Sequence, residues 1–388
     1  MNRAALLLLA LLVASAPAAA PASAQEDPNM AKAIRVLSRT PLIDGHNDLP
    51  WAIRQSKAAP HDVHAPAHDL RARTPFQTDI PRLRQGMVGA QFWSLYIPFE
   101  ATAEGAAKVQ LEQIDIAEEM IGAYPDVFEE ALTASDVDRI FGAGRIASIL
   151  GMEGGHAIEN SLGALRAFYA MGVRYLTLTH NGTLDWADAA NDEHRHGGLT
   201  EFGKEVVREM NRLGMLVDLA HTSPDAMNDA LDVSVAPVIW SHADARALND
   251  NPRNVPDDVL RRLPANGGVV MVTFVPEFLT SREQATVGDV ADHIEHVVKL
   301  AGIDHVGIGS DFDGISSTPV GLEDVSTYPR IFAELSRRGW SEENMAKLAG
   351  ENVLRVMRQA EEVARRLQRE RTPSMATIEQ LDGKKAGG

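Results

Sequence analysis

The chain has 388 residues, 23% of them charged and 45% hydrophobic, and no cysteine, which excludes disulfide scaffolds, thiolate zinc fingers, iron–sulfur clusters and cysteine nucleophiles. With 37 basic against 54 acidic residues the formal charge is −17 and the pI about 5.2, a balance that repels phosphate backbones and anionic membrane surfaces, so nucleic acid is not an expected partner. The length allows two or three ordinary domains or a single α/β barrel.

The N-terminus carries Arg3, an apolar run from Ala4 to Val13, and small residues ending Ala22-Ser23-Ala24. That order predicts a secretory signal peptide over residues 1–24, since the run is about half of the roughly 20 residues a membrane-spanning helix needs. The expected product is exported, periplasmic or secreted, with no stable membrane anchor. Residues 25–370 are expected to form one catalytic domain, and 371–388 a polar flexible tail with no hydrophobic lipid-anchor signal.

Eight short apolar runs follow in order: Leu42–His46, Gly89–Tyr96, Ile146–Gly151, Tyr175–His180, Met215–Ala220, Pro237–Ser241, Gly268–Phe274 and His305–Ser310. Amphipathic stretches separate them, among them Thr200 to Leu213 with Thr200 as N-cap, and Val290 to Leu300 closed by Ala301-Gly302. Near-continuous apolar strands alternating with helices predict a parallel sheet covered on both faces, and eight such units predict an α/β fold of the (β/α)8 TIM-like barrel type, a single domain. A doubly wound open sheet is the competing arrangement. Ser341-Glu342-Glu343-Asn344 reads as an N-cap with an acidic first turn, opening extra C-terminal helices outside the barrel.

Polar donors stand at the C-terminal ends of these runs, where barrel enzymes build their sites. The first run ends Asp44-Gly45-His46-Asn47-Asp48, and residues i and i+2 of an extended chain share a face, so His46 and Asp48 point to one centre. The third leads into Glu153 between flanking glycines, the fifth delivers His221 and the sixth His242. Three imidazoles and two carboxylates suit Zn²⁺ and are compatible with Mn²⁺ or Co²⁺, and a shared Glu153 lets five residues hold two ions. On the same rim, His180 can polarise a carbonyl, Arg253 can pair with a carboxylate, and Asp311 can shuttle a proton. Asp313, before Gly314, reads as a turn residue. His61, His64 and His68 read as solvated loop residues, His293 and His296 as the polar face of a helix, and His194 and His196 as part of a mobile loop at the mouth. No GxSxG elbow, Walker loop or dinucleotide fingerprint stands in a suitable context.

Seven ordered motifs resemble the membrane (renal) dipeptidase family of the metal-dependent amidohydrolase barrels, between about Leu42 and Met357. They are Asp44-Gly45-His46-Asn47-Asp48-Leu49-Pro50, Gly151-Met152-Glu153-Gly154, Leu178-Thr179-His180-Asn181, Asp218-Leu219-Ala220-His221, Ser241-His242-Ala243, Asn251-Pro252-Arg253-Asn254 and Gly309-Ser310-Asp311-Phe312-Asp313-Gly314. The resemblance implies two zinc ions per subunit, one on His46, Asp48 and Glu153 and the other on Glu153, His221 and His242. It also implies that His180 and Arg253 bind substrate, that Asp311 is the catalytic acid/base, and that a homodimer hydrolyses dipeptides, often with a D-residue on the carboxyl side. The expected nucleophile is a hydroxide bridging the metals, with His180 aiding the oxyanion. Animal members are lipid-anchored and disulfide-linked, so this cysteine-free chain resembles the exported bacterial members instead. Phe278 stands where some relatives carry a tyrosine that touches substrate. The alternatives are another amidohydrolase-type reaction on lactones or N-acyl amino acids, for which His46-x-Asp48 in place of His-x-His and the lack of a nearby bridging lysine are unfavourable, and a non-catalytic periplasmic binding protein, which leaves Asp311 without a purpose.

Overall fold

A computed structural model describes residues 27–103 and 105–383, so the expected signal peptide lies outside the described residues. Among the described residues nine strands form in chain order: β1 Leu42–Asn47, β2 Val88–Ser94, β3 Phe128–Glu130, β4 Ile146–Glu153, β5 Val173–Thr177, β6 Leu216–Asp218, β7 Ile239–Trp240, β8 Val269–Val272 and β9 Val306–Ile308. Every pairing between them is parallel, and the order β2-β1-β9-β8-β7-β6-β5-β4 closes on itself through β2–β4. The eight strands of the ring coincide with the eight apolar runs, and helices surround them, so the fold is a (β/α)8 barrel rather than an open sheet. β3 is additional. It pairs with the first half of β4 on residues Ile146 to Ser148, while β5 takes residues from Leu150 onward. Its three residues carry only one fully buried side chain, too short a pattern to announce a strand.

Two packed layers hold the ring. Inward side chains such as Ile43, Phe92, Ile149, Tyr175, Ile239, Val269 and Met271 fill the barrel and are contiguous with Val353, Val356, Met357 and Ala360 of the helix Asn352–Glu370. That helix crosses the N-terminal mouth: Arg355 donates to the carbonyls of Gly267 and Asp304, and Glu361 accepts from the backbone of Ala134. With the lower mouth plugged, the C-terminal mouth is left for a site. The second layer, between sheet and outer helices, holds residues such as Leu42, Trp93, Leu176, Val217, Trp240 and Ile308. Each aliphatic side chain of this kind contributes about 1.5–3 kcal/mol through burial.

Local signals set most helix starts. Thr200 caps Glu201–Leu213 by accepting from the backbone of Gly203, and Ser341 caps Glu342–Ala346 through Asn344. The helix expected from Val290 begins at Val287, because Thr286 and Asp289 form a capping box one turn earlier. Residues 371–383 return to the barrel: Arg371 pairs with Glu209 at 3.3 Å, Arg166 donates to the Ser374 carbonyl at 2.7 Å, and Ile378, in the short helix Ile378–Asp382, is 2% exposed. Two histidines expected on the surface are buried. His68 donates through Nδ1 to the Asp62 carbonyl and lies against Phe76, while His293 joins three segments, accepting from Ala245 N–H and donating to the Leu279 carbonyl. His68 is enclosed by its own stretch of chain, from Asp62 to Phe76, and His293 by segments outside the helix that carries it. Among the described residues no helix is long and apolar enough to cross a membrane.

Candidate active site

β1 ends with His46 on the strand and Asp48 two residues later, and the β9 exit locks them in place: Asp311 N–H donates to the His46 carbonyl and Asp48 N–H to the Phe312 carbonyl. Glu153 is the last residue of β4. His221 follows β6 in a left-handed backbone (φ +64°), a conformation that costs a non-glycine residue free energy and turns its ring back over the mouth. His242 follows β7, and Asp311, also left-handed at φ +69°, follows β9.

These residues meet around one carboxylate. Glu153 Oε2 lies 3.5 Å from His46 Nε2, while Oε1 lies 3.0 Å from His221 Nε2, 3.4 Å from His242 Nε2 and 3.9 Å from His180 Nε2. His46 Nε2 is 3.3 Å from Asp48 Oδ2, and His221 and His242 face each other with their Nε2 atoms 3.0 Å apart. Three overlapping groups, His46/Glu153/His242, Glu153/His180/His221 and His46/Asp48/Asp311, each bring their donor atoms within 4.8 Å of one another.

Burial sets the protonation of these groups. It lowers His221 and His242 well below the usual histidine range, with Arg253 and the neighbouring imidazoles adding to the effect, and it lowers His180. Those rings are neutral and offer lone pairs. Burial also opposes charge on Glu153 and His46, yet Glu153 is held well below the ordinary carboxylate value by His46, His180 and His221, and His46 is raised by Tyr175, Glu153 and Asp48. Asp311 is pushed well above the carboxylate range by burial, reinforced by Asp48 and Glu153. His46 Nε2 and Asp48 Oδ1 are buried without a hydrogen-bond partner. Unpaired, inward-facing nitrogen and oxygen donors of this kind suit divalent metal ions.

The cavity over this cluster has a volume of about 360 Å³ and is lined also by Trp51, Gln55, Tyr96, Asn181, Asp313 and Gly314. Arg253 lies beside the cluster, 1% exposed, its three side-chain nitrogens without hydrogen-bond partners and its guanidinium 5.3 Å from the Phe278 ring centre. Burial brings it down to about 10, although Glu153, Asp311, Asp218 and Asp244 all favour its charge. A larger cavity of about 640 Å³ opens nearby over Phe99, His156, Arg195 and Ile378, but the converging donors face the smaller one. His194 and His196 line neither cavity. Their loop is tied down because Asp188 accepts from the backbone N–H groups of Arg195, His196 and Gly198. Asp313 adopts φ +67° and exchanges hydrogen bonds with Gln77, which makes it a turn residue that also lines the cavity.

Sequence reading missed the residues behind the donors. Tyr175 OH lies 2.9 Å from His46 Nδ1, and its ring occupies the space over Gly151, where a Cβ would approach within 2.1 Å. Ser241 Oγ lies 2.9 Å from His242 Nδ1. Only the place of Ser241 immediately before His242 gave any signal.

The family model of membrane dipeptidase, peptidase family M19, matches residues 30–371. The chain belongs to the membrane dipeptidase family. As a member it is a metal-dependent hydrolase of dipeptides. It is 45% identical over 352 residues to the dipeptidase verJ of Clonostachys rogersoniana, a match that covers 88% of this chain and 89% of that protein. Among solved structures, a metallopeptidase from Rhodobacter sphaeroides liganded with a phosphinate mimic of the dipeptide L-Ala-D-Ala is 27% identical with a TM-score of 0.74, covering 83% of this chain and 99% of its own. The dipeptidase AC of family M19 is 29% identical with a TM-score of 0.75, over 83% and 98%. The probable dipeptidase PvdM of Pseudomonas aeruginosa, 24% identical with a TM-score of 0.80 over 88% and 100%, shares the fold.

Proposed function

We propose that the protein is a binuclear zinc dipeptidase that accepts a D-residue on the carboxyl side of the scissile bond. The observation that carries this reading is the division of Glu153, one carboxylate oxygen toward His46 and the other toward His221 and His242. One ion would be held by His46, Asp48 and Glu153, the other by Glu153, His221 and His242. When bound, such a pair supplies a nucleophile from water near neutral pH and a Lewis acid for the carbonyl. Acceptance of a D-residue is supported by the L-Ala-D-Ala mimic bound in the Rhodobacter relative.

The chain's own groups do the rest. Arg253, buried beside the Phe278 ring, pairs with the substrate's terminal carboxylate, and its burial strengthens the pairing. His180 steadies the negative charge that grows on the carbonyl oxygen. Asp311, whose proton is retained through burial, passes it to the departing amine nitrogen. The pattern of the N-terminal 24 residues supports export to the periplasm or medium, and the family resemblance alone supports a homodimer as the working unit.

A panel of L,L- and L,D-dipeptides, with lactones and N-acyl amino acids alongside, tests the reading before and after chelation. The expected result is dipeptide cleavage that chelation abolishes and zinc restores. Cleavage indifferent to chelation, or confined to lactones, overturns it. His180→Ala should lose about 100- to 1000-fold in turnover while keeping its metal, and Glu153→Ala should lose the metal itself.

A further inference from the structure

Two fully buried carboxylates stand directly behind the ligand cluster without belonging to it, Asp44 on β1 and Asp218 on β6. Asp218 accepts from four donors. Its Oδ1 takes Ser241 N–H at 2.7 Å and Ala220 N–H at 3.2 Å, and its Oδ2 takes the hydroxyls of Ser241 at 2.6 Å and Thr177 at 2.5 Å.

The hydroxyl of Ser241 has a single proton, and Asp218 receives it. Toward His242 Nδ1, 2.9 Å away, Ser241 Oγ therefore acts as acceptor, which fixes the ring proton on Nδ1 and the lone pair on Nε2, the atom that faces Glu153. The same carboxylate works on His221 by another route. Its bond to Ala220 N–H holds the turn out of β6, and the left-handed His221 that follows is fastened by Ala190 N–H and the Thr179 hydroxyl, both donating to its carbonyl. His221 Nδ1 has no partner, so its orientation comes from the backbone rather than from a ring hydrogen bond. None of these bonds reaches His46 or Asp48. Asp44 belongs to a separate network with Gln91, Ser310 and Tyr328, on the β1–β9 side of the ring.

We propose that Asp218, acting through Ser241 and Ala220, is the positioning residue for both imidazoles of one ion, and that it governs the binding of the His221/His242 ion without governing that of the His46/Asp48 ion. The inference rests on the binuclear reading above. Outer groups that fix a ligating histidine typically alter metal affinity by about 10- to 100-fold when removed.

The test is a zinc titration of chelator-stripped wild type, Asp218→Asn, Ser241→Ala and Thr177→Val, with stoichiometry from atomic absorption and affinity from competition with a chromogenic chelator. Thermal melts of the metal-free proteins show which variants fold; should Asp218→Asn fail to fold, Ser241→Ala carries the test. Wild type should bind two ions. Ser241→Ala and Asp218→Asn should hold one at wild-type affinity and the other about 10- to 100-fold more weakly. Thr177→Val, which removes a bond to Asp218 that leads to no ligand, should leave both unchanged. Equal weakening of both ions, no weakening, or an equal loss in Thr177→Val overturns the proposal. A wild type that binds a single ion overturns the binuclear reading itself, and the inference with it.

Discussion

Replacing Arg253 by Met separates function from stability at one side chain. The guanidinium is 1% exposed and none of its nitrogens has a hydrogen-bond partner, so the fold bears its desolvation with little direct compensation. Holding it at about 10 instead of 12.5 costs the charged form about 3 kcal/mol, and because neutral pH lies below both values the whole of that penalty is present there. Met keeps most of the length and apolar volume but loses the contact of the cation with Phe278, which offsets about 1–2 kcal/mol. The free enzyme should therefore gain about 1–2 kcal/mol, or about 2 °C in Tm for a domain of this size. Turnover should move the other way. Losing a buried partner for the substrate carboxylate costs about 2–5 kcal/mol, or about 30- to 5,000-fold in kcat/KM. The assay compares a dipeptide with its C-terminal amide in both proteins, alongside thermal melts. Wild type should prefer the free acid strongly and Arg253→Met should hardly discriminate. A variant that melts lower than wild type and still prefers the acid by the wild-type margin refutes the reasoning.

Further outcomes follow from the same geometry. A Cβ at Gly314 would lie 2.3 Å from Asp48 Oδ2 and 2.6 Å from Asp311 Oδ1, so Gly314→Ala should cut kcat/KM by at least about 100-fold with the fold intact by circular dichroism. Asp311→Asn should lower turnover by about 100- to 10,000-fold with unchanged zinc content, and should not lower the melting temperature of the metal-free protein, because burial and the nearby acids disfavour its charged form. His156 is brought by burial to about 4, so between about pH 6.5 and 4 the unfolded chain takes up its proton first and stability falls as the pH falls. Denaturant melts at pH 7 and pH 4 should show about 3 kcal/mol of acid-dependent loss in wild type that is missing in His156→Gln.

The eight ring strands were legible because each is a local run of apolar residues, and a strand buried on both faces needs no partner to be recognised. The helix at Thr200 was legible from a cap and its period; the one at Val287 was misplaced by a turn because the cap that starts it, Thr286, precedes the apolar pattern. The donors His46, Asp48, Glu153, His221 and His242 could be picked out because each stands at a strand's C-terminal end, and chain order carries that information. Their supports could not. Tyr175 on β5 reaches His46 on β1 across the inside of the barrel, 129 residues away in sequence, and Asp218 on β6 reaches Ser241 at the end of the neighbouring β7.

The residues alone determined the alternation of strand and helix, the end of the barrel at which chemistry gathers, and the side-chain types that gather there, since these depend on periodicity and on position within a strand. The tertiary structure decided which oxygen of Glu153 faces which imidazole, that Arg253 is buried without a partner, and that His68 and His293 are core rather than surface. The division of Glu153 depends on ring closure and on the register between strands, which place in contact groups separated by tens to hundreds of residues, and the burial of His293 on segments around Ala245 and Leu279 that pack against its helix. No local pattern encodes such distances.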